Sequence, residues 1–115
     1  MKKSALNISG NLLGLILAVL EAGPLHGYGI AREIERRSSD ALSFGEGTLY
    51  PALRILEQDG FVVASWDTSG PGAARKTYDL TPSGRLELTR FREAWREYSR
   101  SVESVLGGVP NISRA

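Results

Sequence analysis

Tyr50 and Arg54 stand four residues apart in the stretch GTLYPALRILEQDGF. Around them Leu49, Ala52, Leu53 and Leu56 follow the i, i+3, i+4, i+7 spacing of one buried helical face, so the tyrosine and the arginine share the exposed face. The phenol donates and accepts hydrogen bonds, and the guanidinium carries its donors in a fixed fork. With Thr48 and Pro51 beside them, they suit the base edges and phosphates of a major groove. The tyrosine ring and Pro51 also offer carbon atoms to a thymine methyl group. Glu57 and Asp59 come at the far end, where a helix entering by its N-terminus holds them away from phosphates. The alternative is that Tyr50 is a half-buried aromatic packed on neighbouring structure.

Outside this stretch the chain offers little for catalysis. It has one histidine and no cysteine, so a catalytic triad, a paired acid and base, or a thiolate metal site each lacks its parts. No enzymatic activity, metal or cofactor is expected, and the absence of cysteine fits a reducing, cytoplasmic setting. The formal charge is only +1, so binding to a polyanion needs a local basic surface rather than bulk charge. His26, Gly27 and Tyr28 open a predicted helix, where free N–H groups suit a phosphate oxygen and glycine permits close approach. The alternative is that Tyr28 packs inward and His26 is an ordinary connector residue. Arg75 and Lys76 lie on a predicted strand, and Lys2 with Lys3 form a short basic arm.

These side chains need elements to hold them. At 115 residues and 42% hydrophobic content the chain suits one domain with one modest core. Leu12 to Glu21 is apolar on almost every side, the pattern of a central buried helix. The run is far short of the ~20 residues of a membrane span. Interrupting Asn7, Ser9 and Asn11, with no small-residue cleavage site after it, argue against a secretion signal, and no membrane partner is expected. Gly23-Pro24 ends this helix. A second helix is expected from Gly27 to about Arg37, with Ile30, Ala31 and Ile34 inward and Arg32, Glu33, Glu35 and Arg36 in water.

Proline lacks a backbone N–H, so Pro51 belongs in a first turn and places the third helix start near Thr48. Ser43-Phe44-Gly45-Glu46 has capping-box spacing and is a competing start. Asp59-Gly60 stops that helix. Phe61 to Trp66 and Ala74 to Leu80 read as a hairpin around Thr68-Ser69-Gly70-Pro71-Gly72. Thr81-Pro82 sets a cap and a first-turn proline for a last helix running to about Leu106. The expected fold is mainly α with a small β-hairpin: a winged helix-turn-helix over residues 1–80, a dimerisation helix over 81–106, and a flexible tail over 107–115.

Along that last helix Leu88, Phe91, Trp95, Tyr98, Val102 and Val105 repeat as a heptad seam. A helix of roughly 39 Å, at about 1.5 Å per residue, overhangs so small a domain. The seam is therefore expected at a two-fold dimer interface, joined by Leu13, Ile16, Leu17 and Leu20. Such a dimer sets two reading helices about one DNA turn, ~34 Å, apart and predicts a palindromic operator. Phe91 and Trp95 are bulky for a tight seam and are expected to leave an apolar slot; the alternative is a simple aromatic core.

GTLYPALRILEQDGF closely resembles the recognition-helix segment of the PadR family of bacterial transcriptional regulators. GPLHGYGIAREIE, residues 23 to 35, is similar to the start of that family's second helix, and RKTYDLTPSGR, residues 75 to 85, to its returning wing strand and last-helix entry. These segments keep the family order and cover residues 12 to about 106. The resemblance is to the short branch with one C-terminal helix, and it implies a dimeric DNA-binding repressor. Several PadR-like regulators respond to aromatic or planar compounds, which makes the Phe91–Trp95 slot the expected place for a small aromatic effector. The family commonly carries an arginine-rich run before the wing tyrosine; Ala73 and Ala74 replace part of it here, leaving Arg75 and Lys76. With acids at positions 57, 59, 67 and 79, that thin wing keeps a rival open: a winged helix that binds proteins instead of DNA.

Overall fold

The structure, a computed structural model, describes residues 8–107; the Lys2-Lys3 arm and the tail beyond Gly107 lie outside the described residues. The chain runs α1 (Ile8–Leu20), β1 (Leu25–His26), α2 (Gly27–Arg37), α3 (Glu46–Gln58), β2 (Val62–Asp67), β3 (Arg75–Leu80) and α4 (Pro82–Leu106). The expected winged helix is present, with one addition. Leu25 and His26 pair antiparallel with Tyr78 and Thr77, which makes β3 the centre of a three-stranded sheet ordered β1-β3-β2. Two residues carry no readable period, so nothing in the sequence announces that strand.

α1 is the hub. Leu12, Ile16, Leu17 and Leu20 are almost completely buried, and they pack with Ile30 and Ile34 of α2, Leu49, Leu53 and Leu56 of α3, and Leu88 of α4. Ile16, Leu17, Leu20 and Leu88 were expected on a dimer face, and the structure corrects this. Each is consumed by the chain's own core, because a domain this small needs its most apolar helix inside.

The third helix begins earlier than Pro51 implies. Its N-cap is Gly45, with no side-chain cap, so Thr48 sits in the first turn instead of capping it. Ser43 does not cap it either, and donates to the Glu35 carboxylate at 3.0 Å. Pro51 thus stands just beyond the first turn, where its missing N–H leaves the exposed Gly47 carbonyl to solvent. The helix ends as expected at Asp59-Gly60. Gly60 takes a positive φ of 79°. The N–H groups of Gly60 and Phe61 return to the Glu57 and Leu56 carbonyls, closing a Schellman motif.

The same corner starts α4. The Thr81 hydroxyl accepts the Gly84 N–H at 3.0 Å and donates to the Gly60 carbonyl at 2.6 Å, and the Thr81 N–H reaches the Phe61 carbonyl. Gly84 is buried against that carbonyl, with no room for a Cβ. Alanine ordinarily stabilises a helix position over glycine by about 1 kcal/mol. At Gly84 the overlap is with backbone, and overpacking of that kind costs about 1–3 kcal/mol. Gly84→Ala should therefore lower the urea midpoint at unchanged slope, the reverse of the propensity expectation.

Candidate nucleic-acid interface

Three segments meet on one side of the molecule. The start of α2 brings His26, Gly27 and Tyr28; α3 brings Tyr50, Arg54 and Glu57; β3 brings Arg75, Lys76 and Tyr78. They line an open groove of about 600 Å³. Thr48 and Pro51 are exposed on α3 outside the groove lining. Tyr50 and Arg54 are both exposed, so neither is tucked into the core.

Tyr50 nevertheless has a seat. Gly27 is buried, and a Cβ built on it would overlap the Tyr50 hydroxyl and ring. Gly27 was expected to admit a phosphate; what comes close in the structure is the tyrosine of α3. Absence of a side chain on α2 is what lets Tyr50 lie across the helix junction. Tyr28, by contrast, is 68% exposed, and its ring lies 5.9 Å from the Arg32 guanidinium. Arg32 was read only as a solvated residue, although it stands to Tyr28 in the same i, i+4 relation as Arg54 to Tyr50.

On the wing, Arg75 donates from Nη2 to His26 Nε2 at 2.6 Å. Strand β1 makes the meeting possible, since it places His26 opposite Thr77 on β3. Asp67, paired across the hairpin with Arg75, accepts from the Ser69 hydroxyl and N–H. Those bonds, helped by the Arg75 charge, hold its carboxyl below the usual range.

Lys76 points to the face where the strand packs on α3. Its Nζ lies 3.8 Å from the Glu57 carboxylate and 5.6 Å from the centre of the Tyr78 ring. Burial first, and Glu57 second, push the Tyr78 hydroxyl up, so it stays a neutral group on the groove wall. Glu57 was expected to be held back from the contact surface. It lines the groove instead, where Lys76 of β3 reaches it. The lining still holds Arg54, Arg75 and Lys76 against Glu57 as its one carboxylate. Tyr78 escaped the sequence reading, although alternation along β3 puts residues 76, 78 and 80 on one face.

A second concavity lies at the root of the arm. Phe91 and Trp95 line an apolar space of about 400 Å³ with Leu15, Leu42, Phe44 and Asn11. Further out, Trp95 and Tyr98 are exposed with ring centres 5.9 Å apart, Val102 is partly exposed and Val105 is 82% exposed. Leu13 is half-buried at the edge of the core. Among the described residues no cluster of His, Cys, Asp and Glu is arranged to hold a metal ion, and no helix is long and apolar enough to cross a membrane.

Comparisons with known proteins agree with this geometry. The profile of the "Transcriptional regulator PadR-like family" matches residues 16–90. The transcriptional regulator Rv3488 of Mycobacterium tuberculosis is 39% identical over 84 residues, which are 73% of this chain and 72% of that protein. The negative transcriptional regulator PadR of Bacillus subtilis is 33% identical over 73 residues, 64% of this chain but only 40% of the longer protein. Among solved structures, a transcriptional regulator from Clostridium thermocellum superposes with a TM-score of 0.80 at 26% identity, covering 90% of this chain and 97% of its own. These relatives are transcriptional regulators rather than enzymes, and the matched segment runs from the last turns of α1 through the first part of α4. The chain is a member of the PadR-like family of transcriptional regulators.

Proposed function

We propose that this regulator is a homodimeric, sequence-specific DNA-binding repressor. The observation that carries it is the convergence of His26, Gly27, Tyr28, Tyr50, Arg54, Arg75 and Lys76, drawn from three separate segments, on one cationic groove. Tyr50 and Arg54 read base edges from α3, with Thr48 and Pro51 beside them, while Tyr28, Arg32, Arg75 and Lys76 hold phosphates. The outer α4, with Trp95, Tyr98, Val102 and Val105 free in the single chain, packs against the same helix of a second copy. Repression is carried over from the name of the Bacillus subtilis relative.

The dimerisation helix and the apolar space at its root supply a regulatory route. A small planar aromatic compound seated between Phe91, Trp95, Leu15 and Phe44 would touch the arm, α1 and the connector into α3 together. Any ligand that binds one dimer geometry better than another shifts the DNA affinity by that difference. A winged-helix module that binds proteins remains the second reading, favoured by the Lys76–Glu57 pair, which removes part of the wing's charge. Salt discriminates them, because each phosphate contact steepens the fall of DNA affinity with salt.

Selection from a random DNA pool by the purified dimer should return a palindrome with half-sites about one turn apart. Arg54→Glu should weaken binding to it by tenfold or more and relax preference at the contacted base, whereas Arg75→Glu should also reduce the salt slope by about 1. Unchanged binding in both variants, or no salt-sensitive DNA binding at all, would exclude the contact surface described. Gly27→Ala tests the seat of Tyr50: displacement of the ring should cost about 1–3 kcal/mol of discrimination at one base pair, with non-specific binding preserved. For the effector space, Trp66→Phe leaves Trp95 as the only tryptophan. The fluorescent probe 1-anilinonaphthalene-8-sulfonate should then quench Trp95 emission, and Leu15→Phe, which narrows the space without adding a tryptophan, should weaken the effect.

A further inference from the structure

We propose that the crossing of α4 over α1, fixed by the Gly14–Phe91 contact and the Glu21–Arg92 ion pair, selects the spacing between operator half-sites. The inference rests on the dimeric DNA-binding reading above and concerns residues remote from the groove.

Gly14 sits in the middle of an otherwise apolar helix, where glycine costs about 1 kcal/mol against alanine. It is buried, and the Phe91 ring occupies the place its Cβ would take. The missing side chain lets the arm approach α1 closely at this point. The next residue on the arm, Arg92, reaches Glu21, the residue just past the C-terminal end of α1. Its guanidinium donates to both Glu21 carboxylate oxygens, at 2.9 Å and 3.3 Å. Hydrogen bonding from Arg92, reinforced by its charge and those of Arg85 and Arg37, keeps the Glu21 carboxyl below its ordinary range, so the pair is ionised at neutral pH.

One contact alone is a pivot. Two contacts, one in the middle of α1 and one just past its C-terminal end, seven residues or about 10 Å apart at ~1.5 Å per residue, fix a direction. A half-exposed ion pair adds little to stability, but a bidentate guanidinium–carboxylate pair constrains orientation. Among the described residues Leu88 is the last fully buried side chain of α4, and beyond Arg92 only a half-exposed Trp95 still lines the apolar space with Leu15, Leu42 and Phe44. The helix has 25 residues. From the crossing at Arg92 to Leu106 the lever is 14 residues, about 21 Å, and a tilt of roughly 9° moves its far end by about 3 Å, close to the ~3.4 Å rise of one base pair. Because the partner grips the outer seam and the DNA meets α3, the crossing angle is converted directly into the distance between reading helices.

The test is binding of wild type and variants to a series of operators whose half-sites are moved apart or together by one and two base pairs, with an isolated half-site as control. The wild type should show one sharp optimum. Gly14→Ala should shift that optimum by one base pair, and Glu21→Gln or Arg92→Gln should flatten the profile at least threefold. Half-site affinity and thermal midpoint should stay within twofold and a few degrees, and the double exchange Glu21→Arg with Arg92→Glu should restore the sharp profile. Variants that keep the wild-type optimum and steepness would overturn the assignment, even if Gly14→Ala fails to fold. Failure of the dimeric reading looks different: the wild type itself would show no spacing dependence, which would remove this inference as well.

Discussion

The burial of α1 is the constraint from which the rest of the molecule follows. Leu12, Ile16, Leu17 and Leu20 are sealed from water, and α2, α3, α4 and β3 all rest on this one helix. Each such side chain contributes about 1.5–3 kcal/mol on burial, in a domain with few other sources of core. Whatever changes the placement of α1 therefore moves the helix pair, the wing and the arm together. A small regulator gains from this arrangement, because one apolar helix is the common reference for both the groove built by α2, α3 and β3 and the root of the α4 arm.

The groove shows how modest total charge becomes a local basic surface. With a formal charge of +1, the chain gathers Arg54, Arg75 and Lys76 by setting the hairpin beside α3, and gathers His26 by adding β1 to the sheet. Some of its acidic residues are spent on partners: Glu33 on Arg36 and Arg37, Glu21 on Arg92, Glu57 on Lys76. The last of these lies inside the groove and tempers the wing. With the thin wing and the tempered lysine, the proposed DNA contact rests mainly on Tyr50 and Arg54, with Gly27 as the residue that lets Tyr50 lie where it does.

The arm carries a division of labour along a single helix. Its first turns, Gly84 and Leu88, belong to the domain; its middle, Phe91 and Arg92, sets the crossing over α1; its outer turns present aromatic and aliphatic side chains to whatever covers them. Sequence periodicity alone reads these as one continuous seam. Only the position of the helix relative to the core separates the part that is already buried from the part that is not.

Local chemistry was legible in the sequence because local physics fixes it. The leucine spacing of α3, the αL glycine after Asp59, the Thr81-Pro82 helix start and the exposed Tyr50–Arg54 pair each depend on residues within a turn or two, and each stands in the structure where those residues imply. The folded chain decided what depends on distant partners. β1 exists only because β3 offers it a ladder, Gly45 rather than Thr48 caps α3 although Pro51 pointed downstream, and Glu57 enters the groove because Lys76 reaches it. Ile16, Leu17, Leu20 and Leu88 have the spacing of an interface and the burial of a core. An apolar period states that a side chain leaves water, but not against which chain, and that choice is made only when the elements pack.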